Sequence, residues 1–347
     1  MKKVVAVLLA CVMILALAAC SAPAAQSNAQ ANNPQPTQEG SAQGNNAQAA
    51  QAKGELTFVI VPKCVHEWFD AVAYGANEGA AALSASTGIN IKIDYRAPST
   101  AEVTAQNAVL EQAAATNPDG IVLDPVDYSG GKQIIDEIQK KGIPVILFDA
   151  RVPGSGLPAV GNDFSEQAEL EARDLAKRIG EKGKVAIMHS VPTSANHSER
   201  YETFKKVLAE YPNIEVVEAS PCQDNYQIAQ QSAAATIAAH PDLVGFLCVD
   251  ASGPIGISAA IEEAGKQDQI TFVGAENLLQ ILQYIKKGTM VCSYSTKPQM
   301  QGAQAVQLLY QAHLGMELPQ FVDTGILYID SENVDEWIAI AEAGKTN

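Results

Sequence analysis

The feature that most constrains this chain is an alternation, met twice, of short runs apolar on both faces with segments whose apolar residues recur at helical spacing. Leu56 to Val61 reads as a strand, and the helix after it carries an apolar stripe of Phe69, Val72, Ala73, Ala76, Ala80 and Leu83. Further strands are expected at Ile89 to Asp94, Gly120 to Leu123, Pro144 to Phe148, Lys184 to Met188, Ile214 to Glu218, Val244 to Val249, Thr271 to Gly274 and Met290 to Tyr294. Helices fill most of the gaps, and Asn117-Pro118-Asp119-Gly120 and Lys141-Gly142-Ile143-Pro144 punctuate them as turns. Strands apolar on both faces and separated by helices imply parallel sheets covered on both sides. The pattern occupies residues 54–160 and again 183–295, so the expected fold class is α/β, with two similar doubly wound parallel-sheet lobes. Ligands of such sheets bind beyond the carboxyl ends of the strands, which puts the functional question in the loops there.

The first 53 residues are of another kind. Lys2 and Lys3 precede an apolar run from Val4 to Ala19, too short to span a membrane as a helix, as in a secretory leader. The run ends in Leu17-Ala18-Ala19-Cys20, which resembles the bacterial lipoprotein box. By that resemblance 1–19 is a lipoprotein signal peptide and Cys20 receives a lipid. Residues 21–52 are almost wholly Ala, Gln, Asn, Ser, Gly and Pro, with Glu39 the only charge. Such a composition buries too little apolar surface to offset its ordering entropy, so 20–53 is expected to be the lipidated Cys and a disordered linker with a reach of about 30 Å. The expected location is the extracytoplasmic face of the cell membrane, held by the lipid anchor only.

With 39 acidic residues against 23 basic ones, the chain has a formal net charge of −16, and loss of Lys2 and Lys3 makes the rest more acidic still. That argues against nucleic acid or anionic lipid as a partner of the folded body. Once Cys11 and Cys20 are set aside, Cys64, Cys222, Cys248 and Cys292 remain, with no Cys-x-x-Cys pair and no zinc-type spacing to His. Cys248 and Cys292 lie in apolar runs, and free thiols are favoured over disulfides. Gly154-Ser155-Gly156-Leu157-Pro158-Ala159 fits a dinucleotide fingerprint in letters, but Pro158 and the lack of a helix start after it argue against that turn. There is no P-loop and no Gly-x-Ser-x-Gly elbow, and His66-Glu67 with Asp70 falls one ligand short of a zinc-protease pattern. The chain is therefore expected not to be an enzyme and to need no cofactor or metal.

An ordered set of motifs carries a family resemblance across residues 54–330. Val61-Pro62-Lys63-Cys64-Val65-His66-Glu67-Trp68-Phe69 with Gly75-Ala76, Asp119 to Pro125, Ile143 to Asp149, Val160 to Asp163, Arg200 with Phe204, Val273 to Glu276, and Pro298 with Gly302 together resemble the type I periplasmic sugar-binding proteins related to ribose-binding protein. The resemblance implies three crossings between lobes, with an N-lobe of 54–162 plus 297–325 and a C-lobe of 163–296 plus 326–347. It also implies a monomer that binds a small hydroxylated ligand by closure and passes it to an ABC transporter permease. A receptor that presents the ligand to a chemoreceptor or sensor kinase is the competing class.

The family's ligand positions carry over one by one. Its first loop supplies a polar residue and sugar-stacking aromatics, which fall on His66, Trp68 and Phe69; Phe69 also belongs to the helix's core stripe. Asp149 matches an Asp that accepts sugar hydroxyls, but the Arg that usually follows is Ala150 here, with Arg151 one residue later. The family's Arg of the second lobe falls near Asn196, His197 or Ser198, and Arg200 matches a more structural Arg. Gln223 and Asp224 stand where many relatives carry an aromatic. Asp250 and Glu276 match hydroxyl-binding acids, or else serve as helix caps. Thr296 falls near a Gln at the hinge. Pro62-Lys63 is closer to the branch that binds the furanosyl quorum signal autoinducer-2, whose receptors use a Lys there, which makes Lys63 a further ligand candidate.

Overall fold

The computed structural model describes residues 54–342; the leader, Cys20 and the linker lie outside the described residues. The first strands and helices are β1 (Glu55–Val61), α1 (Glu67–Thr87), β2 (Asn90–Tyr95), α2 (Val103–Ala115), β3 (Gly120–Leu123), α3 (Tyr128–Lys140), β4 (Val145–Asp149) and β5 (Ala159–Gly161). There follow α4 (Phe164–Arg178), β6 (Lys182–Met188), α5 (Ala195–Leu208), β7 (Asn213–Ala219), α6 (Tyr226–Ala239), β8 (Leu243–Cys248), α7 (Ser252–Glu263), β9 (Thr271–Ala275), α8 (Leu279–Lys287) and β10 (Cys292–Ser295). The described chain ends with α9 (Pro298–His313), β11 (Phe321–Asp323), β12 (Leu327–Asp330) and α10 (Val334–Glu342).

These strands form two six-stranded sheets, ordered β11-β5-β4-β3-β1-β2 and β12-β10-β9-β8-β6-β7. Each sheet is covered on both faces, and β1 shows how its sequence arranges this. Leu56, Phe58 and Ile60 pack with Phe69, Val72 and Ala76 of α1, while Val59 and Val61 pack with Leu110 of α2 and Ile135 of α3. Successive strand residues point to opposite faces, so a run apolar at every position serves both layers. In the second sheet β6 does the same, with Val185 and Ile187 toward α4 and α5 and Ala186 and Met188 in the opposite layer.

Strand pairing is parallel within both sheets except at one edge, where β12 runs antiparallel to β10. That edge departs from the all-parallel expectation. It follows from connectivity: β11 ends beside β5 in the first sheet and only a few residues separate it from β12, too few for the crossover that a parallel strand needs. The chain passes between the sheets after β5, after β10 and after β11.

Helices α1 and α9 pack at very close range over the first sheet. A Cβ on Gly75 would lie 2.0 Å from the carbonyl oxygen of Gln299, and one on Gly302 would lie 2.0 Å from that of Val72. Only glycine admits such an approach. The contact fixes α1, and with it the loop that holds His66 and Trp68. Cys64, Cys222, Cys248 and Cys292 are buried and unpaired. Among the described residues no helix is long and apolar enough to cross a membrane.

Candidate functional site

In both sheets the strand order reverses beside the first strand of the set, β1 between β2 and β3, and β6 between β7 and β8. Loops diverge at such switch points and leave a crevice beyond the strand ends. The loops from the two sheets face each other across a small pocket. Lys63, His66, Trp68, Phe69, Asp149, Asn196, Asp224, Asp250 and Glu276 all line it, together with His197, Arg200 and Ala251.

Arg151 is the exception among the candidates. Asp149 ends β4 with φ of 56°, a left-handed turn that sends the chain aside. The Arg151 guanidinium lies over the Phe321 ring, 4.9 Å from its centroid, and 3.1 Å from Glu199 Oε1. Arg151 therefore lies at the rim between Phe321 and Glu199, outside the pocket lining.

The loop after β1 does most to organise the pocket. His66 caps α1: its Nδ1 accepts the Trp68 backbone N–H (3.1 Å), which leaves the ring proton on Nε2 to donate to Ser252 Oγ at 3.1 Å. Burial holds His66 below its ordinary pKa, so it is neutral near pH 7. Trp68 Nε1 donates to Glu276 Oε2 (2.9 Å) and to Thr296 Oγ1 (3.1 Å), joining the first loop to the second sheet. Phe69 meets Trp68 edge to face at 5.2 Å and Phe148 at 6.1 Å, so it belongs both to the core and to the pocket wall.

Lys63 is buried at 2% exposure, its ammonium 2.9 Å from Asp124 Oδ2 and 3.1 Å from Asp149 Oδ2. Burial alone would depress its pKa, but the charges of Asp124, Asp149 and Asp224 outweigh that and hold it above the ordinary lysine value. Asn196, in the first turn of α5, donates its amide to the same Asp149 Oδ2 from across the cleft. Of the three positions open for the family's Arg, Asn196 and His197 line the pocket and Ser198 does not.

The second sheet's acids differ in their surroundings. Asp250 accepts the Gly253 N–H at 2.9 Å as a cap for the start of α7, and the Cys222 thiol at 3.1 Å, so it serves helix and pocket together. Burial and the nearby Asp224 charge push it up to about 7. Burial works against the Asp224 charge too, yet its carboxyl is held below the ordinary value, with Lys63 as the fixed cation that favours the charge, and Asp224 is the ionised member of the pair. Glu276 caps no helix; it accepts from Trp68 and Thr296, and its other oxygen lies 3.6 Å from Arg200 Nη2. Arg200 itself donates to Val249 O and Gln167 Oε1 (both 3.1 Å) and stacks on Phe164, which accounts for its structural part.

Sequence reasoning missed a backbone signature at this site. Of six non-glycine residues with positive φ among those described, Asp149, Asp224 and Glu276 line the pocket and Gln223 adjoins it. Positive φ costs free energy at non-glycine residues, and the turns it makes aim these strand-end carboxylates inward. Asp124, 0% exposed behind Lys63, stands in the Asp119 to Pro125 motif, where no spacing marks it as that lysine's partner.

Residues 57–316 match the family described as periplasmic binding protein domain. The sequence is similar to a D-ribose/D-allose-binding protein of Pseudomonas aeruginosa, 27% identical over 214 residues, which is 59% of this chain and 65% of that protein. The chain thus spans just under two thirds of that relative's length. A D-apiose import binding protein of Paraburkholderia graminis is 26% identical over 227 residues, 65% of this chain and 69% of the relative. Among solved structures, an ABC transporter solute binding protein from Agrobacterium vitis bound with alpha-D-tagatopyranose is similar at a TM-score of 0.76 and 25% identity, over 83% of this chain and 98% of that one. An arabinose binding protein from Geobacillus stearothermophilus is similar at a TM-score of 0.67 and 26% identity, over 82% of this chain and 99% of that one.

Proposed function

The chain belongs to the periplasmic binding protein domain family, among the type I sugar-binding proteins, and on that premise we propose that it captures a sugar or sugar-like polyol between its lobes and delivers it to an ABC transporter permease. One observation supports the reading most: charged and amide groups from both sheets converge with Trp68 and Phe69 on a single small pocket. Apolar ring faces suit the C–H faces of a sugar, and carboxylates and an amide suit its hydroxylated rim. The lobes are taken as 54–162 plus 297–325 and 163–296 plus 326–347, with closure by bending near 162, 296 and 326. In this reading the protein works as a monomer on the extracytoplasmic face, tethered through Cys20 and its linker, and performs no chemistry on its ligand.

A second reading has its own observation. Lys63, fixed inside the pocket wall by two carboxylates, supports a receptor for the furanosyl signal autoinducer-2, or a sensor that presents its ligand to a kinase or chemoreceptor. Permease and ATPase genes beside this one favour transport, and a kinase gene favours sensing.

The test is a thermal-shift screen of the purified protein against pentoses, hexoses, polyols and autoinducer-2. A ligand bound only by the folded state at a hundred times its Kd adds about 2.7 kcal/mol to stability, a rise in midpoint of roughly 5 °C for a protein of this size. At least one member of the set is expected to give that rise. If autoinducer-2 alone does so, the second reading replaces the first; if only amino acids or peptides do, the polyol reading is wrong.

A further inference from the structure

We infer that the ligand of this cleft carries a protonated amine, as an amino sugar or an aminated polyol does, and that Asp224 and Asp250 hold the ammonium. This deepens the polyol reading of the pocket and rests on it. Asp149, Asp224, Asp250 and Glu276 line the cleft, yet its fixed cations are only Lys63 and Arg200. Both are already engaged, Lys63 between Asp124 and Asp149, and Arg200 with Val249, Gln167 and Phe164 beside Glu276.

Asp224 and Asp250 both line the cleft, and among the described residues no lysine or arginine forms an ion pair with either. His197 Nε2 stands 3.9 Å from Asp224 Oδ1, too far for a hydrogen bond. Its Nδ1 accepts the Val191 N–H, and burial keeps the ring well below the ordinary histidine pKa, so it brings no charge at pH 7. His66 is neutral for the same reason.

Asp250 has its own donors in Gly253 N and Cys222 Sγ. Asp224 Oδ1 has Ser190 Oγ at 3.3 Å, but Asp224 Oδ2 receives no hydrogen bond from any described residue, although the side chain is only 9% exposed. A buried carboxylate oxygen without a donor is costly, and a donor entering the pocket relieves that cost. A hydroxyl would supply one donor but no charge to a pair in which Asp224 is ionised and Asp250 is pushed up to about 7. An ammonium supplies three donors and the charge. Among the described residues no group of three His, Cys, Asp or Glu side chains could hold a metal ion.

The experiment is calorimetric titration with matched pairs: glucosamine against glucose and N-acetylglucosamine, galactosamine against galactose, mannosamine against mannose, and 1-amino-1-deoxyribitol against ribitol. In at least one pair the amine should bind about ten- to hundredfold tighter than its neutral partners, the range of a charged hydrogen bond. Asp224→Asn should bring that ratio to within about threefold. Its unfolding midpoint is recorded alongside, and the wild-type ratios decide the matter even if this variant folds poorly. Neutral members that bind while every amine binds more weakly overturn the inference and leave the polyol reading standing. Silence from both series overturns the polyol reading and the inference together. Calcium or magnesium chloride that protects the protein as well as the best amine also overturns it, by assigning the pair to an inorganic cation.

Discussion

Replacing Asp124 with Asn tests how the buried lysine is held. Asp124 is fully buried behind Lys63 and outside the pocket lining, and its carboxylate shares one ammonium with Asp149. Burial is the chief cause that pushes Asp124 up to about 8, against the pull of Lys63 and with the Asp149 charge adding to it. The unfolded value is about 3.9. Between those values the folded protein holds a proton that the unfolded chain does not. Stability therefore falls as pH rises toward 8 and levels off beyond it. At 1.36 kcal/mol per unit, the fall between pH 6 and pH 9 from this group is about 2–3 kcal/mol. Asn mimics the protonated acid and cannot titrate, so Asp124→Asn should match the wild type near pH 6 and exceed it by about 2–3 kcal/mol at pH 9. Asp250 and Glu276 also titrate high, but they do so in both proteins and cancel in the difference. Urea unfolding of the ligand-free protein at pH 6, 7, 8 and 9 measures it. Parallel pH profiles would show that Asp124 is ionised throughout, and a variant that is the less stable at pH 9 would show that the ion pair with Lys63 outweighs the cost of burial.

Trp68→Phe keeps the ring but removes the N–H that reaches Glu276 and Thr296, so ligand affinity should drop about tenfold and the ligand-bound protein should scatter with a larger radius of gyration; unchanged values of both would remove Trp68 from closure. Cys20→Ser should abolish acylation and release the protein from membrane fractions while ligand affinity stays the same, and retention at the wild-type level would exclude Cys20 as the anchor.

The parts of the site legible in the sequence are those set by where a strand stops. Asp149 and Asp250 follow apolar runs whose ends can be read to within a residue, and residues at the carboxyl ends of parallel strands face the crevice by topology alone. Of the strands not legible in the sequence, β5 and β11 have three residues each, too few to show a period, and β12 at a sheet edge has one buried residue in four. The position of Arg151 outside the pocket lining is illegible for a related reason. Its direction depends on the turn at Asp149, and a left-handed φ at an aspartate leaves no mark in the letters as a glycine would.

What stayed hidden is pairing. Trp68 finds Glu276 across 208 positions, Lys63 finds Asp149 across 86, and Asn196 finds the same Asp149 across 47. No local window contains both members of any of these bonds, so residue types could be nominated from the sequence while their partners could not. The consequence is physical as well as practical. Each sheet carries half of the site, with Lys63 and its two carboxylates on the first and Asp224, Asp250 and Glu276 on the second. The bonds that complete the pocket are the same bonds that hold its halves together. Under the proposed capture by closure, a ligand that satisfied Asp149 from one side and Asp224 from the other would stabilise the closed arrangement by the very contacts that recognise it, and a ligand able to reach only one half would leave the other half's buried charge uncompensated.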